Sequence, residues 1–230
     1  MTALRSALFL IWFLAITTVL SLIFLPVLAL PRGATVWLAR LWARLTFWGL
    51  KIFAGIGWEI RGLVPKGPVL VAAKHMSMWD TLALYLALDE PAIVLKRELL
   101  RIPFYGWFLA KAAAIAIDRG AGASALRKMA ERARKVLAQG RPILIFPEGT
   151  RKKPGAPPDY KPGVAGLYGQ LAVDCVPVAL NSGVYWTGFL KRPGTIVLEF
   201  LEPIGPGLKR DAFMRLLESR IETATNRLLP

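Results

Sequence analysis

Histidine and cysteine each occur once in these 230 residues, and the two scarcities remove several kinds of chemistry. Cys175 alone makes neither an intramolecular disulfide nor a cysteine zinc cluster, and His75 alone excludes a site built on two imidazoles. Acidic residues are scarce too: 15 Asp and Glu stand against 30 Lys and Arg, for a net charge of +15. Disorder would need few apolar residues beside that charge, whereas 55% of the chain is hydrophobic. Internal repeats, zinc-finger spacings, RNP-type aromatic motifs and basic heptads are all missing, so nucleic acid is not the expected partner. A basic surface on so apolar a chain points to anionic lipid or to phosphorylated substrates.

What is present divides the chain near residue 60. Residues 6–31 carry no charge and are long enough, as a helix, to cross a bilayer. They are longer than an ordinary signal-peptide core and lack a clear cleavage site, so retention is expected. In residues 35–60, Arg40, Arg44 and Lys51 share one helical face, which predicts an interfacial amphipathic helix. Five of the eight tryptophans (Trp12, Trp37, Trp42, Trp48 and Trp58) fall in this first part, where headgroup-level rings are favoured. Residues 1–60 are therefore expected to be a two-helix membrane anchor, spanning or inserted in one leaflet. Residues 61–230 are expected to be one catalytic domain. The first 60 residues hold +4 of the charge and the remainder +11.

After Gly62, short apolar runs alternate with helical stretches. That pattern predicts an α/β fold, a mixed and mostly parallel sheet flanked by helices. Strands are expected at 68–73, 92–95, 113–117, 142–146, 176–180 and 195–200. The clearest helix is 124–139, where Leu126, Met129, Ala130, Ala133, Val136 and Leu137 form one stripe, Ser124 is placed to cap and Gly140 to terminate. Its basic outer face suits solvent or anionic lipid. Proline and glycine make 151–163 a loop.

His75 follows a predicted buried strand and precedes a helix. On a continuous helix His75 and Asp80 would diverge by about 140° and could not pair. If the helix starts at Ser77, His75 lies in the preceding turn and Asp80 in the first turn, and the two can meet. Asp80 would then fix the imidazole tautomer and leave the other nitrogen free as a general base. The same string, Ser77-Met78-Trp79-Asp80, also reads as a capping box, in which Asp80 only bonds back to the helix terminus. A second string, Phe146-Pro147-Glu148-Gly149-Thr150-Arg151, follows another buried strand and offers a glycine for close approach beside a guanidinium fork.

Together, His75 to Asp80 and the Phe-Pro-Glu-Gly-Thr-Arg string about 70 residues later resemble the glycerolipid acyltransferases, whose H-x-x-x-x-D and F-P-E-G-T-R blocks match in order and spacing. Two further blocks agree: Lys96-Arg97-Glu98-Leu99-Leu100 with Pro103 and Gly106 leading to Ile117-Asp118-Arg119, and Val176-Pro177-Val178. The likeness is greatest to the bacterial 1-acyl-sn-glycerol-3-phosphate acyltransferases and covers roughly residues 60–205. It implies that His75 is the general base and Asp80 its orienting partner. It further implies that Glu148, Gly149, Thr150 and Arg151 bind the glycerol phosphate, with Arg119 and Lys96 adding positive charge. No cofactor or metal is implied. The implied partners are membrane phospholipid, lysophosphatidic acid, and acyl-CoA or acyl carrier protein as co-substrate, at a bacterial inner membrane with the domain on the cytoplasmic side. Departures from the family pattern are Lys74 where Asn is frequent, Ala113 or Ala114 where glycine is, and Lys152 where Ser is.

The chemistry these groups support is direct acyl transfer from a thioester to a hydroxyl, with backbone N–H groups at the start of the Ser77 helix as candidate oxyanion donors. Competing readings are an acceptor other than lysophosphatidic acid (glycerol 3-phosphate or a lyso-amino-lipid), a hydrolase using Cys175 or Ser77, and a non-catalytic basic membrane protein.

Overall fold

A computed structural model of the chain describes residues 1–118 and 122–230. It opens with helix α1 (Thr2–Ile23), a tight turn at Leu25–Ala29 and helix α2 (Arg32–Gly49), which runs into one wide π turn, Leu50–Ala54. Strands β1 (Ile56–Arg61) and β2 (Leu70–Ala73) follow, then α3 (Met78–Ala87), β3 (Ala92–Lys96), α4 (Tyr105–Lys111), β4 (Ile115–Ile117), α5 (Gly122–Leu137) and β5 (Ile143–Ile145). Helix α6 (Gly163–Leu171), β6 (Cys175–Leu180), the short α7 (Ser182–Tyr185), a hairpin of β7 (Trp186–Thr187) and β8 (Leu190–Lys191), β9 (Gly194–Phe200) and α8 (Arg210–Leu228) complete the order.

Among the described residues the main sheet has seven strands in the order β1-β9-β6-β2-β5-β3-β4. All its ladders are parallel except β6 with β9. Burial on both faces follows from the side-chain alternation of the central strand. Leu70 and Ala72 pack with Met129, Ala133, Tyr168 and Phe213 of α5, α6 and α8. Val71 and Ala73 point the other way, into Phe47, Trp79 and Leu84 of α2 and α3. The apolar runs at β2, β3, β4, β5, β6 and β9 and the stripe on α5 are therefore where the sequence puts them. Gly140, at φ +73°, closes the turn after α5. Ser124 lies inside that helix, which starts at Gly122, and is not its cap.

The first 60 residues depart further from expectation. Only α1 is long and apolar enough to cross a membrane among the described residues, and 17% of its most apolar window is buried. The predicted second helix, 35–60, stops at Ala54. Gly55 turns into the left-handed region at φ +68°, and Ile56 then begins an edge strand that pairs in parallel with β9. Helix α2 packs on the domain through buried Val36, Leu38, Ala43 and Phe47. Arg40 is correspondingly not a headgroup contact, because its Nη2 donates to the Leu88 carbonyl at 3.1 Å. Helix α1 is bound to α2, to the π turn and to β8 by specific polar contacts. Trp12 Nε1 donates to Leu45 O at 2.9 Å, Arg5 Nε to Phe53 O at 3.0 Å, and the Lys191 amide to Ser6 Oγ at 2.8 Å. Its opposite face leaves Leu4, Ile11, Leu14, Leu22 and Ile23 exposed.

Candidate active site

Parallel strands deliver their C-terminal ends to one edge of a sheet, where loops can display reactive groups. Here β6, β2, β5, β3 and β4 bring Asn181-Ser182, Lys74-His75, residues 146–151, Lys96 and Asp118 to that edge, in that spatial order. Helix α3 starts where the pairing of His75 with Asp80 requires: Ser77 is the N-cap, in extended conformation, and Asp80 is the third residue of the helix. Trp79 beside it is fully buried and stacks on Phe47 of α2, ring centroids 5.4 Å apart, which fixes the helix orientation.

Asp80 performs both of the roles between which its sequence spacing left a choice. The capping box is formed, and the same carboxylate lies 2.9 Å from His75 Nδ1. Its Oδ2 also accepts from the Met76 and Ser77 amides at 2.6 and 2.8 Å, while Ser182 Oγ donates to Oδ1. Ser77 Oγ stands 2.8 Å from Ser182 Oγ and accepts from the Trp79 amide at 3.2 Å. The contact turns His75 Nδ1 toward Asp80 and so directs Nε2 away from it. The bonding also spends the Met76, Ser77 and Trp79 amides, so these three are not free as oxyanion donors. Ser182 was not foreseen; it sits two residues past the end of β6 and carries no motif signature of its own.

The second block meets the first through an aromatic contact. The His75 ring stacks on Phe146 with centroids 4.0 Å apart, and the Lys152 amide donates to the His75 carbonyl at 2.8 Å. Gly149 is at φ +65°, and its amide closes a turn onto Phe146 O at 2.9 Å. Thr150 and Arg151 are exposed beyond that turn.

Glu148 is not displayed with them. It is buried, its Oε1 lies 3.0 Å from Lys74 Nζ, and burial pushes its carboxyl above the usual range against the pull of that ammonium. Its side chain is thus turned to Lys74 and away from the exposed Thr150 and Arg151. Lys96 is exposed at the end of β3, and Asp118 at the end of β4 pairs with Arg97 at 3.0 Å. Arg119 lies outside the described residues.

Beside α3 runs an apolar cavity of about 160 Å³, lined by Leu20, Leu38, Trp42, Leu82, Tyr85 and Phe108 among others. It lies between α1 and α2 on one side and the helix that carries Asp80 on the other. The two nucleophiles of a hydrolase reading are absent from any such position. Cys175 is buried at the start of β6, where burial pushes its thiol well up, and Ser77 is committed as the cap.

Comparison with known proteins agrees with this arrangement. A 1-acyl-sn-glycerol-3-phosphate acyltransferase of Pseudomonas aeruginosa is 39% identical over 171 residues, which cover 73% of this chain and 65% of that protein, a little under two thirds of its length. A 1-acyl-sn-glycerol-3-phosphate acyltransferase alpha of Mus musculus is 31% identical over 213 residues, covering 86% and 74%. The crystal structure of the 1-acyl-sn-glycerophosphate (LPA) acyltransferase of Thermotoga maritima shares the fold, with a TM-score of 0.80 over 99% of this chain and 98% of that one at 22% identity. The profile of one family, described as Acyltransferase, matches residues 58–181, more than half of the chain and the stretch that holds both motif blocks. On these grounds the chain belongs to the acyltransferase family.

Proposed function

We propose that the protein transfers a fatty acyl group from an acyl thioester, acyl-CoA or acyl carrier protein, to the 2-hydroxyl of 1-acyl-sn-glycerol 3-phosphate, making phosphatidic acid. The observation that carries this reading is the His75 Nδ1 to Asp80 contact of 2.9 Å at a sheet edge that also displays Thr150 and Arg151. With Nδ1–H held by Asp80, His75 Nε2 is unprotonated and takes the proton of the acceptor hydroxyl as its oxygen attacks the thioester carbonyl carbon. The tetrahedral oxyanion collapses, the carbon–sulfur bond breaks, and the imidazolium returns its proton to the leaving thiolate. No covalent acyl-enzyme intervenes, consistent with the absence of a reachable cysteine.

Arg151, with Thr150 and the exposed Lys96, holds the phosphate so that the hydroxyl stays near Nε2, and such positioning supplies part of the acceleration. The apolar cavity beside α3 is of a kind that takes an alkyl chain. Helix α1 anchors the protein in the bacterial inner membrane with the catalytic domain on the cytoplasmic side. The names of the Pseudomonas and mouse relatives support the choice of acceptor. The test is a purified-enzyme assay of thiol release from acyl-CoA or acyl carrier protein, with 1-acyl-sn-glycerol 3-phosphate, glycerol 3-phosphate and a lyso-amino-lipid compared as acceptors. Preference for either of the other two would overturn the assigned acceptor while leaving the reaction class intact.

A further inference from the structure

Lys74 precedes the histidine, in a place where the family pattern often has Asn, and it is 2% exposed. Its Nζ lies 3.0 Å from Glu148 Oε1 and 2.7 Å from Glu222 Oε1 of α8, and Tyr160 OH donates to that same Glu222 oxygen at 2.8 Å. One ammonium therefore ties the end of β2, which carries it, to the turn at 146–151 and to the C-terminal helix, and the loop carrying Tyr160 joins through Glu222. Consecutive residues at a strand end point to opposite sides. Lys74 accordingly faces α8 while His75 faces Phe146.

We infer that Lys74 is a positioning residue: its ammonium clamps Glu148 from beneath and so fixes the turn carrying Gly149, Thr150 and Arg151 relative to His75. The inference rests on the acyltransferase reading above. Three backbone bonds hold the same turn as well, Lys152 N to His75 O at 2.8 Å, Lys161 N to Pro147 O at 2.9 Å and Gly149 N to Phe146 O at 2.9 Å, and the lysine adds a hold on the Glu148 side chain. Among the contacts described for the Glu148 side chain, the lysine is the one that restrains it, since Glu148 Oε2 is buried without a partner. Loss of the ammonium releases the Glu148 side chain, and the turn with it, whether or not the two carboxylates that flanked it keep their charge. Displacement of an anchoring group by about 1 Å is enough to cost a large factor in substrate handling.

The test compares wild type, Lys74→Met, and the charge-free variant Lys74→Met/Glu148→Gln/Glu222→Gln. The triple variant removes the buried charge imbalance and is expected to melt within about 3 °C of wild type. If Lys74 only stabilises the fold, restored melting restores everything else. If it positions the turn, both variants show a rise in acceptor KM of roughly tenfold or more with kcat changed far less. They also show faster tryptic cleavage after Arg151, read at a temperature well below unfolding. Wild-type KM and wild-type cleavage in the triple variant would overturn the inference. Cleavage is read without substrate, so it decides the matter even if wild type acylates none of the acceptors, a result that would sink the acyltransferase reading alone.

Discussion

At the scale of single residues, Asp80 is the economical feature of the site. One carboxylate caps α3 through the Met76 and Ser77 amides and orients His75, so its replacement should lower activity and stability together. Asp80→Asn is expected to reduce acyl transfer by roughly 10²- to 10⁴-fold and stability by about 1–2 kcal/mol, measured by steady-state kinetics and thermal unfolding. Ser182→Ala removes only a supporting bond and should cost about 1 kcal/mol with kcat falling less than tenfold. A different residue governs a pH effect. Lys191 is buried between the Phe9 and Trp186 rings, and burial lowers its ammonium to about 8 from the ordinary 10.5. Between those values the unfolded chain holds the proton that the folded chain has lost, so stability rises as pH climbs from about 8 to 10.5. Lys191→Met should abolish that rise in unfolding curves taken across the interval, and an unchanged slope would show that the lysine is not responsible.

At the scale of elements, what could be read from the sequence was the buried interior. Runs such as 142–146 and 176–180 are apolar throughout because both faces of the parallel sheet are covered, and the stripe on α5 has helical period. Strand β1 escaped because its one well-buried residue is Ile56 and its remaining positions are largely exposed, so no alternation marks it off from the helix before it. The placement of Glu148 escaped for another reason: its partner Lys74 lies 74 residues away, that lysine's other partner Glu222 lies 148 residues from it, and separation in sequence hides such pairs. Gly106, by contrast, acquires a physical reason. A Cβ there would stand 2.2 Å from the Leu100 carbonyl oxygen, a backbone atom in the turn that follows Lys96. Gly106→Ala should therefore destabilise by about 1–3 kcal/mol and disturb the end of β3, checked by thermal unfolding.

At the scale of the whole molecule, α1 belongs to the fold. Phe9 and Ile16 are buried in the domain and Ser6 is bonded to the β8 backbone, while the outer face stays apolar and exposed. Deletion of residues 1–24 should thus yield aggregated protein rather than a soluble active domain, as size-exclusion chromatography would reveal. The charge of +15 likewise resolves into parts with different work: Lys74 is internal, Arg32 pairs with Glu90, and Arg151 and Lys96 stand exposed at the proposed site. All of this converges on one imidazole. The most direct measurement is thiol release from an acyl thioester in the presence of 1-acyl-sn-glycerol 3-phosphate, by purified wild type and by His75→Ala at equal vesicle binding. Wild-type turnover with at least a ~10²-fold loss in the variant is the predicted result, whereas a His75→Ala protein that retains most of the wild-type rate would contradict the account.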